Sequence, residues 1–249
     1  MTERTIDVRF LGSGDAFGSG GRLQTCILLD GGSHRMLLDC GPSVLIAFNR
    51  FGISSSDIDA IVLSHMHGDH FGGVPFFLLE AHVLAKRTNP LAIAGPAGLE
   101  SRIGSVHELL FPGTFPRRPA FPLEFIELAE RDPVRIGDAV VTVVHVPHQD
   151  DPPSFAVRVQ YGHKVVAFSG DSEWTDALPE VARGSDLFIC ESNYFDTRAP
   201  HHLDYRTIAD RLEDLGCKRI VLTHMGRDML RHAGGAALEC AHDGLSIRV

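Results

Sequence analysis

One ten-residue run, IVLSHMHGDH over 61–70, constrains this chain more than any other feature. His65, His67, Asp69 and His70 put three imidazoles and a carboxylate within six positions, directly after the apolar stretch Ala60 to Leu63. That stretch reads as a buried strand, and Gly68 marks the tight turn after it. The ligand-type side chains therefore gather where a strand ends. Imidazole nitrogen and carboxylate oxygen suit zinc, manganese or iron, and four such groups in one loop can serve two ions. Packing alone gives no reason for four polar side chains at this spacing.

Further candidates follow other predicted strands. Ala139 to Val146 runs into Pro147-His148, Lys164 to Phe168 stops at Ser169-Gly170-Asp171, and Arg219 to Leu222 ends in Thr223-His224. Ligand sites in α/β folds collect beyond strand C-termini, so the spacing predicts one shared cleft. With the 65–70 loop these residues make seven ligands, enough for two ions, and Asp171 is the natural bridge because each of its oxygens can bind a metal. Two ions bridged by hydroxide create a nucleophile near neutral pH. His145 is the rival to His148, but its position inside the strand assigns it to the wall of the site. The run IVLTHMGRDM over 220–229 echoes IVLSHMHGDH, which predicts two similar halves, each sending a histidine into the cleft.

Around this site the chain reads as alternating strands and helices. A first strand over 6–11 leads into GSGDAFGSGGR, which lacks both the P-loop ending and the dinucleotide spacing and so reads as a loop near the substrate end. Thr25 to Leu29 and Arg35 to Asp39 form a hairpin about Asp30 to Gly32. The second strand leaves Asp39 before a glycine, where it either orients a metal-bound imidazole or makes an Asx turn or cap. Helices are expected over Ser43 to Phe51, Phe71 to Ala85 and Thr207 to Leu215, with Gly52 and Gly216 as stops. Strands are expected at Leu91 to Ala94, Phe155 to Tyr161 and Asp186 to Cys190, the last ending at Glu191. The proline- and phenylalanine-rich 111–122 segment reads as an exposed edge or lid, with Phe111, Phe115 and Phe121 walling a pocket or anchoring the loop.

Composition narrows the partners. The net charge is −9 and only three of the 23 basic residues are lysines, Lys86, Lys164 and Lys218, so the overall field repels phosphate polymers while leaving small phosphates as partners. Arg22, Arg117, Arg118 and Arg198 can still make a local patch. Five scattered cysteines with no CxxC pair point to buried thiols in a reducing, cytoplasmic compartment. The start MTERTIDVRF does not read as a signal peptide, and no 18-residue apolar run is available to cross a membrane.

HMHGDH at 65–70 fits the HxHxDH motif of the metallo-β-lactamase superfamily, and SGDS about Asp171 and LTH ending at His224 resemble its later motifs. FLGSGDAFGSGGR, LLDCG, Glu191 and HHL look closest to the branch of the ribonuclease Z enzymes and the small phosphodiesterases of the phosphonate-pathway type. The resemblance spans residues 8 to about 230. It implies a four-layer αββα fold over residues 1–249 as one domain, with two similar halves and the metal site at the edge of the β-sandwich. It also implies His65, His67 and His148 on one ion and Asp69, His70 and His224 on the second, with Asp171 bridging. Zinc is the expected metal, with manganese as alternative, since a glutamate replaces His67 in the di-iron oxidoreductase members.

By the same resemblance, His202 with Glu191 as partner protonates the leaving group; His201 is its competitor. A carboxylate beside an imidazole fixes its tautomer and raises its pKa. The chain departs from the tRNA-processing enzymes in one respect: His148 to Asp171 spans only a short hairpin, with no room for the arm that grips tRNA. The expected activity is therefore a dinuclear-metal hydrolase that cleaves small or nucleotide-like phosphodiesters through a bridging hydroxide, with Asp69, His202 and Glu191 in the machinery and Arg22 or Arg198 on a phosphate oxygen. Three alternatives stand beside it. A carboxylic ester, lactone or thioester hydrolase would use Tyr194 on the carbonyl; a tRNA 3′-endonuclease would borrow an arm from a dimer partner; a metal-stabilised binding module would do no chemistry. Homodimers are common among the proteins it resembles.

Overall fold

Apolar runs divided by glycine-rich turns build two seven-stranded sheets on one plan. The computed structural model of the protein describes residues 5–114 and 121–249. In the first half, β1 (Asp7–Gly12), β2 (Cys26–Asp30), β3 (Arg35–Leu38) and α1 (Val44–Phe51) are followed by β4 (Ala60–Val62), α2 (Gly68–Phe71), α3 (Val74–Val83), β5 (Leu91–Gly95), α4 (Leu99–Leu110) and β6 (Leu123–Glu127). In the second half come β7 (Val134–Ile136), β8 (Ala139–Asp150), β9 (Pro153–Tyr161), β10 (Lys164–Phe168), α5 (Ala177–Ala182), β11 (Leu187–Glu191), α6 (Tyr205–Asp210), α7 (Leu212–Leu215), β12 (Ile220–Thr223), α8 (Arg227–His232) and β13 (Glu239–Cys240). β14 (Ser246–Arg248) returns to pair antiparallel with β1.

Each sheet begins antiparallel and turns parallel. β1 to β3 alternate in direction and β3 to β6 run parallel. In the second sheet β7 to β10 alternate and β10 to β13 run parallel. The sheets pack face to face: Phe10, Ile27 and Leu29 of the first bury against Val141, Val157, Phe168 and Ile189 of the second. Both faces of the inner strands are covered. Ala60 and Val62 face the sandwich while Ile61 and Leu63 face α1 and α3, and Ile189 faces inward while Phe188 and Cys190 face the outer helices. That double burial explains why these strands read as unbroken apolar runs without alternation. The result is the expected four layers, helix–sheet–sheet–helix, built from two similar halves.

Several elements differ locally from the sequence reading. β8 continues to Asp150, so His148 lies within a strand and not beyond one. The ladder with β9 loses register between Val146 and Asp150, where Pro147 has no N–H to give. The helix expected over Phe71 to Ala85 is α3, which begins at Val74; a separate helical turn before it, α2, holds Asp69 and His70. The helix expected over 207–215 breaks at Arg211 into α6 and α7. β6 and β7 form the outer edges of the two sheets. Of the 111–122 segment, residues 115–120 lie outside the described residues, with Phe115, Arg117 and Arg118 among them. Phe121 is buried, with the Arg87 guanidinium 5.5 Å from its ring, and so anchors the segment. All five cysteines are free, and among the described residues no helix is long and apolar enough to cross a membrane.

One close approach holds the ligand segment against the sheet. The Gly73 N–H donates to Cys40 O at 2.8 Å, and a Cβ at Gly73 would stand 2.1 Å from Gly41 O. Gly68, by contrast, faces open space. Gly73→Ala is therefore expected to destabilise the fold by about 1–3 kcal/mol or more through backbone displacement. Gly68→Ala is expected to leave the urea midpoint within experimental scatter. Denaturant melts of the two variants check this; equal midpoints would refute the packing argument.

Candidate metal centre

The seven ligand-type residues come together where both sheets end. His65, His67 and His148 form one group, and Asp69, His70, Asp171 and His224 form another, with the donor atoms of each group lying within 4.8 Å of one another. Asp171 stands between the two groups: its Oδ2 lies 3.3 Å from His70 Nε2, 3.4 Å from His224 Nε2 and 3.8 Å from His148 Nε2. Asp69 Oδ2 is 3.2 Å from both His70 Nε2 and His224 Nε2. His65, His70, Asp171 and His224 are buried.

Contacts outside the cluster determine which ring nitrogens point into it. Asp39 Oδ2 accepts from His70 Nδ1 at 2.7 Å. The same oxygen accepts from Ser64 Oγ at 2.8 Å, and Ser64 Oγ in turn lies 3.0 Å from His65 Nδ1. His148 Nδ1 donates to His201 O at 2.8 Å. With Nδ1–H committed in all three rings, each Nε2 presents its lone pair to the site. His67 uses its other nitrogen: its Nδ1 sits 3.0 Å from His148 Nε2, an approach of two acceptors unless a proton or a cation lies between them. Three of the five non-glycine residues with positive φ belong here, namely Asp39 (59°), His201 (69°) and His224 (53°). Such backbone costs about 1–3 kcal/mol each and persists only where the surroundings enforce it.

The electrostatics fit a cation. Burial drives His65 well below the usual histidine pKa and brings His148 down to about 4, so both imidazoles are neutral at pH 7. Burial also opposes the His70 cation, but Asp171, Asp39 and Asp69 together hold its pKa well above the ordinary value. Asp171 is held well below the carboxylate range, because His224 and His70 outweigh its burial. His65 Nε2, His70 Nε2 and Asp171 Oδ1 are buried without a hydrogen-bond partner. Orphaned buried polar atoms are expensive, and here all three belong to the same cluster, so divalent ions fit these residues. A dication takes over the role the extra imidazole protons play.

Beside the cluster stands a second constellation. Glu191 is fully buried at the end of β11, and its oxygens lie 3.1 and 3.2 Å from His202 Nδ1. Oε1 also accepts from Ser172 N at 2.7 Å. The His202 ring stacks on His224 at 5.7 Å and meets His148 edge-on at 5.0 Å. Burial works against the His202 cation, but the Glu191 carboxylate raises its pKa to about 9. Burial raises Glu191 too, with the bond from His202 acting against it. His201 is exposed, accepts from His148 through its carbonyl, and meets the His148 ring edge-on at 6.2 Å. Arg198 is exposed at the rim and Tyr194 is half-buried. Arg22 is engaged elsewhere: its Nη1 donates to Ala241 O at 2.5 Å and to Ser13 Oγ at 3.2 Å, tying the glycine-rich loop to the C-terminal segment. His145 sits apart, 3.9 Å from Asp150. Sequence reasoning missed Ser64, although its hydroxyl sits directly ahead of His65 in the same run.

Comparisons with known proteins agree with this architecture. A family model described as a beta-lactamase superfamily domain matches residues 34–225. The chain is 26% identical to a ribonuclease Z of Lachnoclostridium phytofermentans over 278 aligned positions, covering 91% of this chain and 89% of that protein. Because 278 positions exceed the 249 residues of this chain, the relative carries inserted residues that this chain lacks. Among solved structures, the metallo-beta-lactamase fold protein YhfI from Bacillus subtilis superposes with a TM-score of 0.82 at 19% identity, covering 98% of this chain and 100% of that one. Human tRNase Z, short form, gives 0.77 at 25% identity over 97% and 98%. A diphosphatase of the PhnP family gives 0.72 at 19% over 97% of both chains.

Asp39 gives a direct test of how the imidazoles are held. Asp39→Asn is expected to weaken Zn2+ binding by about 10–100-fold, since the bond that fixes the His70 tautomer is lost. Competition against a coloured chelator reads this. Unchanged affinity would refute the orienting role.

Proposed function

The chain belongs to the beta-lactamase superfamily domain family, and from that premise we propose that its metal-dependent hydrolysis is directed at phosphodiester bonds of small, nucleotide-like substrates. One hydrolase domain spans the chain in this reading. His65, His67 and His148 hold one divalent ion, Asp69, His70 and His224 hold the other, and Asp171 lies between. Zinc suits this nitrogen-rich set best, with manganese as the alternative. When bound, such ions supply Lewis acidity toward phosphoryl oxygens and make water acidic enough to ionise near neutral pH.

The observation that carries the phosphodiester reading is the buried Glu191 behind His202. Departure of an alkoxide from phosphorus demands a proton, and a histidine whose pKa is raised to about 9 carries one at pH 7. Glu191 fixes the ring so that Nδ1–H faces the carboxylate and Nε2–H is free to donate to the departing oxygen. Stacking on His224 and contact with His148 keep that nitrogen beside the ligand cluster. Buried Asp39 and Ser64 keep the imidazoles of the cluster in one tautomer while this proton moves.

A second reading, tRNA 3′ processing, draws support from the relatives named ribonuclease Z, which match over 91% of this chain. Against it stand the net charge of −9 and the lack of an arm. From His148 to Asp171 the chain is occupied by the β8–β9–β10 ladder, whose connections are tight turns. The small-diester reading accounts for both.

Metal-replete protein is expected to hydrolyse bis(p-nitrophenyl) phosphate, and His202→Ala is expected to lose about 10²–10⁴-fold on a nucleoside leaving group while losing far less on p-nitrophenolate, which departs without a proton. Turnover confined to thioester or lactone substrates and untouched by His202→Ala would move the activity to carbonyl hydrolysis; efficient cleavage of a precursor tRNA would favour the second reading. The pH profile tests the same pair. The donor form of His202 is present below its pKa and is lost as pH rises through it. Because bound dications oppose the imidazolium, kcat/KM on the nucleoside diester should fall on a basic limb at or below about 9. Glu191→Gln removes the raising charge and should shift that limb to lower pH; a limb that stays in place would separate it from His202.

A further inference from the structure

His202 lines a cavity of about 310 Å³ together with Glu173, Trp174, Arg198, Thr207 and Arg211. A second hollow of about 670 Å³ continues on the other side of Trp174 and Arg211, so these two side chains form the wall between them. We propose that the cavity beside His202 is the leaving-group subsite, and that it takes a single nucleoside carrying a further phosphate, with the base against Trp174 and the phosphate paired with Arg211 and Arg198. This inference rests on the phosphodiester reading for its name but not for its chemistry.

Four observations carry it. The cavity starts at the group proposed to protonate the departing oxygen, so whatever leaves is delivered into it. Its wall holds the only tryptophan of the chain, three residues after Asp171, with the Arg211 guanidinium 5.0 Å from the ring centroid. Aromatic and guanidinium planes together stack nucleobases whatever their identity. The Trp174 Nε1–H is buried without a hydrogen-bond partner, leaving a donor unanswered in the wall. Finally, two guanidiniums reach the cavity, and the carboxylates that share its lining, Glu173 and Asp204, have hydrogen-bond partners of their own. Asp204 spends both oxygens on Thr207, at 2.8 Å to N and 2.7 Å to Oγ1, and Glu173 Oε2 turns toward His201 N at 3.4 Å. Arg198 and Arg211 are exposed and make no ion pair among the described residues. In a chain of net charge −9, two guanidiniums without an ion pair among the described residues stand at the lip of the site and can meet one anionic group. At about 310 Å³ the cavity stands at the lower end of ligand-pocket sizes, which matches one monomeric group.

Because Trp174 is the sole tryptophan, its fluorescence reports the subsite without any turnover. Zinc-loaded protein is titrated with adenosine 5′-monophosphate, and with ribose 5-phosphate, adenosine and inorganic phosphate as separate probes. The proposal expects saturable quenching by the nucleotide, at least about tenfold tighter than by adenosine, and no quenching by the two probes without a base. Arg211→Ala and, independently, Arg198→Ala are expected to weaken the nucleotide by roughly tenfold. The Arg211 side chain makes no hydrogen bond among the described residues but lies on the Trp174 ring, so each variant is read against its own ligand-free fluorescence. Absence of quenching by the nucleotide, equal affinity for adenosine, or unaltered affinity in both variants would overturn the subsite. Turnover of bis(p-nitrophenyl) phosphate by the wild type is measured beside it. Quenching without turnover would leave the subsite standing and refute the phosphodiester reading; turnover without quenching would do the reverse.

Discussion

Asp39 is the carboxylate on which the rest of the site depends. Its own N–H continues the sheet to Val62 O at 2.9 Å, while its side chain accepts from Ser64 N, Ser64 Oγ and His70 Nδ1. The end of β3 thus meets two points of a stretch distant in sequence, Ser64 just past β4 and His70 in α2, at one fully buried carboxylate. An isolated buried carboxylate would cost several kcal/mol, and here three donors answer it. The exchange works in both directions. The donors satisfy the Asp39 oxygens, and Asp39 keeps the imidazole protons on the outer nitrogens, so that the inner nitrogens converge as lone pairs. The left-handed backbone at Asp39 follows from the need to turn the side chain back into the sheet end.

Two halves with the same order of antiparallel and parallel strands explain where the site lies. The parallel parts of both sheets end on the same side, and their C-terminal turns supply Asp39, the 65–70 segment, Asp171, Glu191 and His224. The antiparallel part of the second sheet contributes His148 through the irregular end of β8. A bulge there bends the strand toward the cluster and frees it from the ladder at the point where Pro147 cannot donate. The second half did not need to repeat the HxHxDH run, because one half already provides four of the seven ligand-type groups and the facing half supplies the remaining three.

How much of this was legible in the sequence follows from what each feature depends on. The 65–70 ligands, Asp171 and His224 announce themselves because polar chelating side chains close apolar runs, where burial alone would exclude them. The central strands are legible from their apolar runs and glycine stops. The extension of β8 past His148 is not, since it rests on pairing with β9. β6 and β7 are short edge strands whose alternation is too weak to read, and α5 contains Pro179 within six residues. The break between α6 and α7 falls at Arg211, a residue with good helix propensity, and so reflects tertiary placement against Trp174 and not local preference. Ser64 was within the most conspicuous run of the chain, yet its bond to Asp39 spans 25 positions and could not be read from spacing.

The same reasoning bears on substrate size. At physiological ionic strength the screening length is about 8 Å, so an anion held at the site responds to the charges nearest it, while a polymer reaching across the surface meets the field of the whole protein. Here those two differ. Near His202, Arg198 and Arg211 stand beside Glu173 and Asp204 without an ion pair among the described residues; over the entire chain acidic residues exceed basic ones, 32 to 23. A mononucleotide-sized group gains from the first and scarcely feels the second. A long RNA would gain the same local contacts but pay for every further phosphate laid on an acidic surface, with no inserted arm to offset it. Under the proposed small-diester reading, selection by size would need no barrier at the entrance, since the charge distribution would supply the discrimination.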